Sequence, residues 1–336
     1  MKKSFYNKYI VLVFSILSFL VFIIGCIPIE DPIKFPQGTF PNSVINLTDI
    51  NSEYDDYNIS LPTLFGNSQI IFSSNRRSTG GQFDLEQANI YFEFDKTNGY
   101  FSLITEMTDD AFLDRLISKA KTPGNDFGPY RLYSTLDEFE YLLLSSENSA
   151  GNLDLFYLKN RPAYNSGLPE VDGPYPIKLF NTNSDDAYIC FDSDLDSAFF
   201  VTNKDGNFDI FLQKRPADKS IASWFNLDYA NSTKVDILNS SSEDKCPMVF
   251  QKIMVFTSNR PGGLGGYDLY YSIFKNGNWS SPVNLGPEIN TSSDEYRPVL
   301  GYHPDFTNFF MMFSSNRTGG KGGFDLYFSG VEFPEK

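Results

Sequence analysis

Five acidic or amide-acid pairs recur along this chain and are the residues whose types and spacing invite chemistry: Asp55-Asp56, Asn125-Asp126, Asp185-Asp186, Glu243-Asp244 and Asp294-Glu295. Carboxylates gathered at one mouth of a fold could bind a cation or a basic peptide, or act as acid and base on a sugar. The candidate binding set is Asp56, Asp126, Asp186, Asp244 and Glu295. Their repetition argues for a structural role, because a catalytic dyad needs two positions and would break the pattern. The rest of the hydrolytic machinery is thin. The single histidine, His303, falls in the turn His303-Pro304-Asp305 and reads as an exposed loop residue. One imidazole cannot build a typical zinc site, and a Ser-His-Asp triad would rest on that turn alone. Neither a metal nor any other cofactor is expected.

Two glycine-rich segments, GGLGGYD at 262–268 and GGKGGFD at 319–325, invite comparison with calcium-binding β-roll repeats. The aspartate comes one residue late, and the copies recur at 57 residues rather than in tight tandem. An Asx-type turn, in which Asp268 and Asp325 accept backbone N–H groups of their own loops, fits better. Asp192, Asp194 and Asp196 alternate like the start of a calcium loop, but Ser197 and Asn203 stand where that loop needs Gly and Glu, which favours a hairpin tip. Cys190 and Cys246 could be bridged in an oxidising compartment, though spacing does not fix their distance. Trp224 and Trp279 could stack on sugars, yet aromatics at this spacing ordinarily pack between sheets.

The elements that must position these residues follow from an internal repeat. The strand candidates Ile70–Arg76, Tyr141–Asn148, Phe199–Lys204, Met254–Arg260 and Met311–Arg317 each end in a polar turn. An aspartate then opens the next strand, at Asp84, Asp154, Asp209, Asp268 and Asp325, at intervals of 70, 55, 59 and 57 residues. The turn motif is completed by Asn75 and Arg76, Asn259 and Arg260, and Asn316 and Arg317. Each unit offers about four short strands, which is how radial β architectures are built. The first unit is the least regular, since Asn89–Phe92 competes with Asp84 as the start of its third strand. The long first interval holds a helical pattern, Asp110–Lys121, whose apolar face is Phe112, Leu113, Leu116, Ile117 and Ala120; it reads as a surface insertion.

The ends of the repeat match. The last unit lacks a fourth strand, while Val44–Asn51 near the N-terminus resembles Val283–Asn290, the fourth strand of unit four. Pairing the two would close a ring and remove two sheet edges. The expected fold is therefore all-β, a five-bladed β-propeller over 43–336, with units near 54–107, 125–181, 185–239, 243–291 and 294–333 plus 43–51.

Lys2, Lys3 and Lys8 precede an apolar run that ends in Ile23-Ile24-Gly25-Cys26, the pattern of a lipoprotein signal over 1–25 with acylation at Cys26. A Pro-rich tether over 26–42 would follow. Removing the signal takes the formal charge from −15 to −18, because three Lys and no acid are lost. So acidic a domain argues against nucleic acid and anionic membrane surfaces as partners, leaving the Cys26 lipid as the membrane contact.

The segment SNRPGGLGGYDLYYS at 258–272, followed by GNWSSPVNLGPEINT and SDEYRP, resembles the WD-repeat-like propeller motif of the TolB type, found in Bacteroidetes envelope lipoproteins. Units four and five match closely, and units one to three in outline, with Glu147 and Lys204 near the place of Arg260. The resemblance implies an outer-membrane lipoprotein on the periplasmic face or at the cell surface. It also implies a non-catalytic platform for an envelope or secreted protein, and not an enzyme. The alternative is a carbohydrate-active surface propeller that binds or hydrolyses a glycan with channel carboxylates.

Overall fold

The computed structural model describes residues 33–61, 69–161 and 170–334; the segment expected to be a signal and the expected acylation site, Cys26, lie outside them. Two compact units divide the chain. The smaller comprises Met1–Pro36 and Asp95–Tyr100, and in it the amides of Lys34 and Phe35 donate to the carbonyl of Lys96. The larger, Gln37–Phe94 with Phe101–Lys336, is a five-bladed β-propeller.

Blade I consists of β2 (Asp56–Ser60), β3 (Gln69–Ser74), β4 (Asp84–Asp95) and β5 (Tyr100–Met107). Blade II consists of β6 (Asp126–Ser134), β7 (Phe139–Glu147), β8 (Leu153–Asn160) and β9 (Val171–Pro176). Blade III is β10 (Asp186–Phe191), β11 (Ser197–Thr202), β12 (Asp209–Lys214) and β13 (Thr233–Lys234). Blade IV is β14 (Asp244–Phe250), β15 (Ile253–Ser258), β16 (Asp268–Lys275), β17 (Asn278–Trp279) and β18 (Val283–Asn284). Blade V joins β19 (Glu295–Gly301), β20 (Phe309–Ser315) and β21 (Asp325–Val331) to β1 (Ile45–Asn46), which comes from the other end of the chain.

The closure repeats, bond for bond, the way β18 seals blade IV. Ile45 lies opposite Phe328 and Asn46 opposite Tyr327. Asn51 Nδ2 donates to Leu326 O and to Asn46 Oδ1, and its own Oδ1 accepts from Leu326 N. Asn290 makes the same three bonds to Leu269 and Asn284. Packing against blade V starts within the stretch expected to be tether: Phe40 is buried, and its amide donates to Asn308 Oδ1 at 2.8 Å.

The second strands read as unbroken apolar runs because both faces are covered by neighbouring blades. Five core clusters are found among the described residues, one between each pair of adjacent blades. The register in blade I is settled by Ser74 lying opposite Asp84, as Ser258 lies opposite Asp268, so Asp84 opens the strand. The inserted helix α1 (Ala111–Ala120) is capped by Asp110, whose carboxylate accepts from Phe112 N and Leu113 N. It is not a surface decoration. Leu113, Leu116 and Ala120 are fully buried against Leu85 of blade I and Leu142 of blade II.

Every inner strand contains a bulge two residues beyond its acid. Asn58 (φ 61°), Gly128 (57°), Tyr188 (53°), Cys246 (54°) and Arg297 (50°) all occupy the left-handed region. The ladder shifts register at each of them. For four non-glycine residues this costs roughly 1–2 kcal/mol apiece. The exchange is visible: the freed amides of Asn58, Tyr188 and Arg297 donate to Ser314 Oγ, Ser145 Oγ and Thr257 Oγ1 on the preceding blade. The bulge therefore stitches neighbouring blades together near the axis, and the side chains standing at it differ in all five blades.

Candidate functional site

The acids of the five pairs belong to the frame. Asp56, Asp126, Asp186, Asp244 and Glu295 are fully buried. Each accepts from the backbone amide of a Ser or Thr four residues earlier, namely Ser52, Thr122, Thr182, Ser240 and Thr291. Arg76, Arg260 and Arg317 then pair with Asp56, Asp244 and Glu295 at 2.5, 2.5 and 3.1 Å. Four of the other members of the pairs reach across to the preceding blade. Asp55, Asn125, Asp185 and Asp294 accept from the amides of Phe324, Phe83, Leu153 and Tyr267.

This explains the glycine turns. Asp268 accepts from Leu264 N and Gly265 N, and Asp325 from Lys321 N and Gly322 N, as the Asx-turn reading expects. A Cβ on Gly263 would meet Asp268, whereas one on Gly265 would lie 1.9 Å from Ser293 O of the next blade. Gly322 stands in the same relation to Tyr54 O, at 1.9 Å. The first glycine pair shapes the loop, and the second lets the next blade approach. In two other blades the aspartate takes a lysine instead: Asp84 pairs with Lys121 and Asp209 with Lys234. Asp154 sits at the same position, with burial raising its carboxyl pKa.

Blades II and III lack the arginine, with consequences for pH. Burial raises the pKa of Asp126, and takes that of Asp186 from the ordinary 3.8 to about 6. A raised carboxyl favours the neutral folded form, so its stabilising contribution is complete below about pH 4 and is lost as pH rises through about 6. Asp186→Asn keeps an acceptor for Thr182 and stays neutral. We expect it to leave stability unchanged near pH 4 and to raise it by up to about 3 kcal/mol at pH 8. Urea unfolding at the two pH values checks this, and an equal difference at both would contradict it.

The acidic-pair end of the axis is filled by half-buried aromatic rings. Tyr57 packs on Phe83, Phe127 and Phe324 with centroids 5.1–5.8 Å apart, and Tyr296 stands 5.5 Å from Tyr267. At the other end, where the inner strands finish, a cavity of about 1070 Å³ opens. Its walls include Ser60 of β2, Arg131 of β6, Phe191 of β10, Phe250 of β14 and Gly301 of β19. Tyr91 and Tyr302, 39% and 46% exposed, offer flat faces at its rim. Glu93, Asp192 and Asp194 bring carboxylates. Asp192 also holds the β10–β11 tip, its Oδ1 accepting from Asp196 N and Ser197 N, so the hairpin-tip reading of that triplet stands. His303 lines the cavity too, half-buried with its ring 5.5 Å from Phe306, rather than standing free on a loop.

Two arginines are buried in the cavity wall. Arg131 pairs with Glu140 at 2.5 Å, leaving Nη1 without a partner among the described residues. Arg297 has no exposed surface; its Nη2 donates to Pro129 O at 3.2 Å, while Nε and Nη1 have no partner among the described residues. Its guanidinium lies 5.6 Å from the Tyr188 ring. A desolvated cation–π contact contributes about 2 kcal/mol, less than the several kcal/mol that burying an ion costs. Sequence reading missed Arg297 because nothing in EYRPVLG distinguishes it from a solvated strand residue.

Cys190 and Cys246 are free, buried thiols in the core between blades III and IV, each pushed up to about 12 by burial. Trp224 is buried in the short helix α2 (Ile221–Phe225), and Trp279 packs on Phe199 and Phe274. Neither lines the cavity.

No protein-family model matches the chain, and no curated protein matches it. Among solved structures it is similar to a thermostable family-43 glycoside hydrolase, with TM-score 0.54 and 12% identity over 86% of this chain and 93% of that one. It is also similar to the endo-arabinase from Bacteroides thetaiotaomicron (TM-score 0.51, 11% identity, 89% and 98% covered). A third is the GH43_1 enzyme from Xanthomonas citri complexed with xylotriose (TM-score 0.50, 10% identity, 87% and 90% covered). At such identities the likeness establishes the fold, a five-bladed propeller. It also corrects two expectations. These neighbours are glycoside hydrolases and not TolB-type proteins, so the reading as a non-catalytic protein-binding platform loses its support, and the assignment as a non-enzyme falls with it.

Proposed function

We propose that this chain is a carbohydrate-active propeller that takes a glycan into the cavity at the ends of its inner strands. The observation that carries the proposal is the cavity itself: an opening of about 1070 Å³ over the axis, with aromatic rings at the rim and polar groups converging from different blades. Fold neighbours that are glycoside hydrolases, one of them complexed with xylotriose, support the same reading. The reaction those groups suit is glycosidic hydrolysis, which needs two carboxyl groups flanking one bond. Glu93 of blade I and Asp194 of blade III both line the cavity and are the carboxylates we assign to such a pair, whereas the repeated acids are committed to the frame.

Reducing-end release from arabinan and xylan oligosaccharides, run beside a glycan array, tests this. Glu93→Gln and Asp194→Asn should each lower turnover by about a hundredfold or more while leaving binding in place. Binding without turnover in the unaltered protein would reduce the reading to glycan recognition. Neither binding nor turnover on any glycan would end it.

A further inference from the structure

We propose that the cavity selects an acidic sugar, a uronic acid whose carboxylate is received by Arg297. The inference rests on the glycan reading above and names the substrate class of that site.

Arg297 carries a guanidinium cation, is wholly buried in the cavity wall, and its one side-chain hydrogen bond among the described residues goes to Pro129 O rather than to a carboxylate. Arg131 on the same wall is already paired with Glu140, so of the two buried arginines Arg297 is the one without a carboxylate partner among the described residues. A buried ion without a counter-ion is unfavourable in the empty protein and is relieved by an anion that enters. The donor geometry fits a planar oxyanion. Nη2 carries two N–H groups and gives one to Pro129 O; the other forms a fork with Nε or with Nη1, both unpartnered. Forked, bidentate donation is how a guanidinium recognises a carboxylate.

The position is also particular to this site. Arg297 occupies the left-handed bulge position that Asn58, Gly128, Tyr188 and Cys246 occupy in the other blades, so its charge is absent from the frame's repeating plan. Half-buried Met248, on the same cavity wall, has the rotamer freedom to move aside for an incoming group. The exposed Glu93 and Asp194 would repel an anion left at the rim, which favours a ligand whose carboxylate is carried deep by a sugar ring.

Calorimetric titration of the full chain with trigalacturonate, triglucuronate and their methyl esters decides the matter, with sodium sulfate and inorganic phosphate as further probes. The acid form of at least one trimer should bind at least tenfold tighter than its ester. Arg297→Met should abolish that preference, by about a hundredfold for the acid, and Arg297→Lys should restore only part of it. A merely structural Arg297 would lower the thermal midpoint when replaced by Met; the inference expects the ligand-free midpoint to hold or rise and the ligand-induced shift to vanish. If the Met variant fails to fold, acid against ester in the unaltered protein still decides. Equal binding of acid and ester would overturn the inference and leave the glycan reading intact. Binding of sulfate or phosphate with no sugar bound would overturn both.

Discussion

Asp244→Ala will destabilise the propeller by about 3–5 kcal/mol, enough to remove a large part of the stability of an ordinary domain. Asp244 has no exposed side-chain surface and receives Ser240 N, Ser240 Oγ and Arg260 Nη2. Arg260 is itself held, donating to Leu238 O at 2.7 Å and lying 4.8 Å from the Tyr270 ring. Truncating the acid leaves the guanidinium without its counter-ion and a backbone amide without its acceptor. Asp244→Ala with Arg260→Met should recover part of the loss, because the stranded charge is then gone. Denaturant unfolding of the two variants beside the parent measures the coupling. Additive losses would show that the pair does not act as a unit.

Removing the closing segment should cost as much as the whole fold has to spare. A chain beginning at Ser52 loses Phe40, Leu47 and Ile50, each no more than 2% exposed, and at about 1.5–3 kcal/mol per side chain the sum is comparable to the roughly 5–15 kcal/mol of a stable domain. It also loses the Asn46 and Asn51 bonds and uncovers the edge of β21, a template for aggregation. We expect no cooperative unfolding transition from this chain, and a normal one from a chain that begins at Gln37. A synthetic peptide of 37–51 added in trans should restore solubility. An unchanged midpoint without the segment would mean that the ring holds without closure.

Both predictions rest on features that could be read from the residues. The match of Val44–Asn51 to Val283–Asn290 announced the closure, and the structure returns it with identical asparagine bonds. The repetition of the acidic pairs and of the turn arginines argued for a structural role, and the buried acids are bonded within the frame. Such features are legible because they are local and repeated: each copy is evidence for the others. The pairing of Asp55 with Phe324, or of Gly265 with Ser293, was less visible because it joins one blade to the next.

What the sequence by itself determined is the five-fold β architecture, its closure and the structural use of its commonest motifs, all set by short-range hydrogen bonding and strand periodicity. The tertiary structure alone decided where a site could be. It filled the acidic mouth with aromatic rings and opened the opposite one. It packed the inserted helix between two blades and kept Cys190 and Cys246 as free thiols. It placed Arg297 at a bulge whose backbone recurs five times but whose side chain does not. The physical reason is common to all four. Burial and counter-charge are sums over residues far apart in the chain, and one residue's type and neighbours along the sequence do not contain that sum.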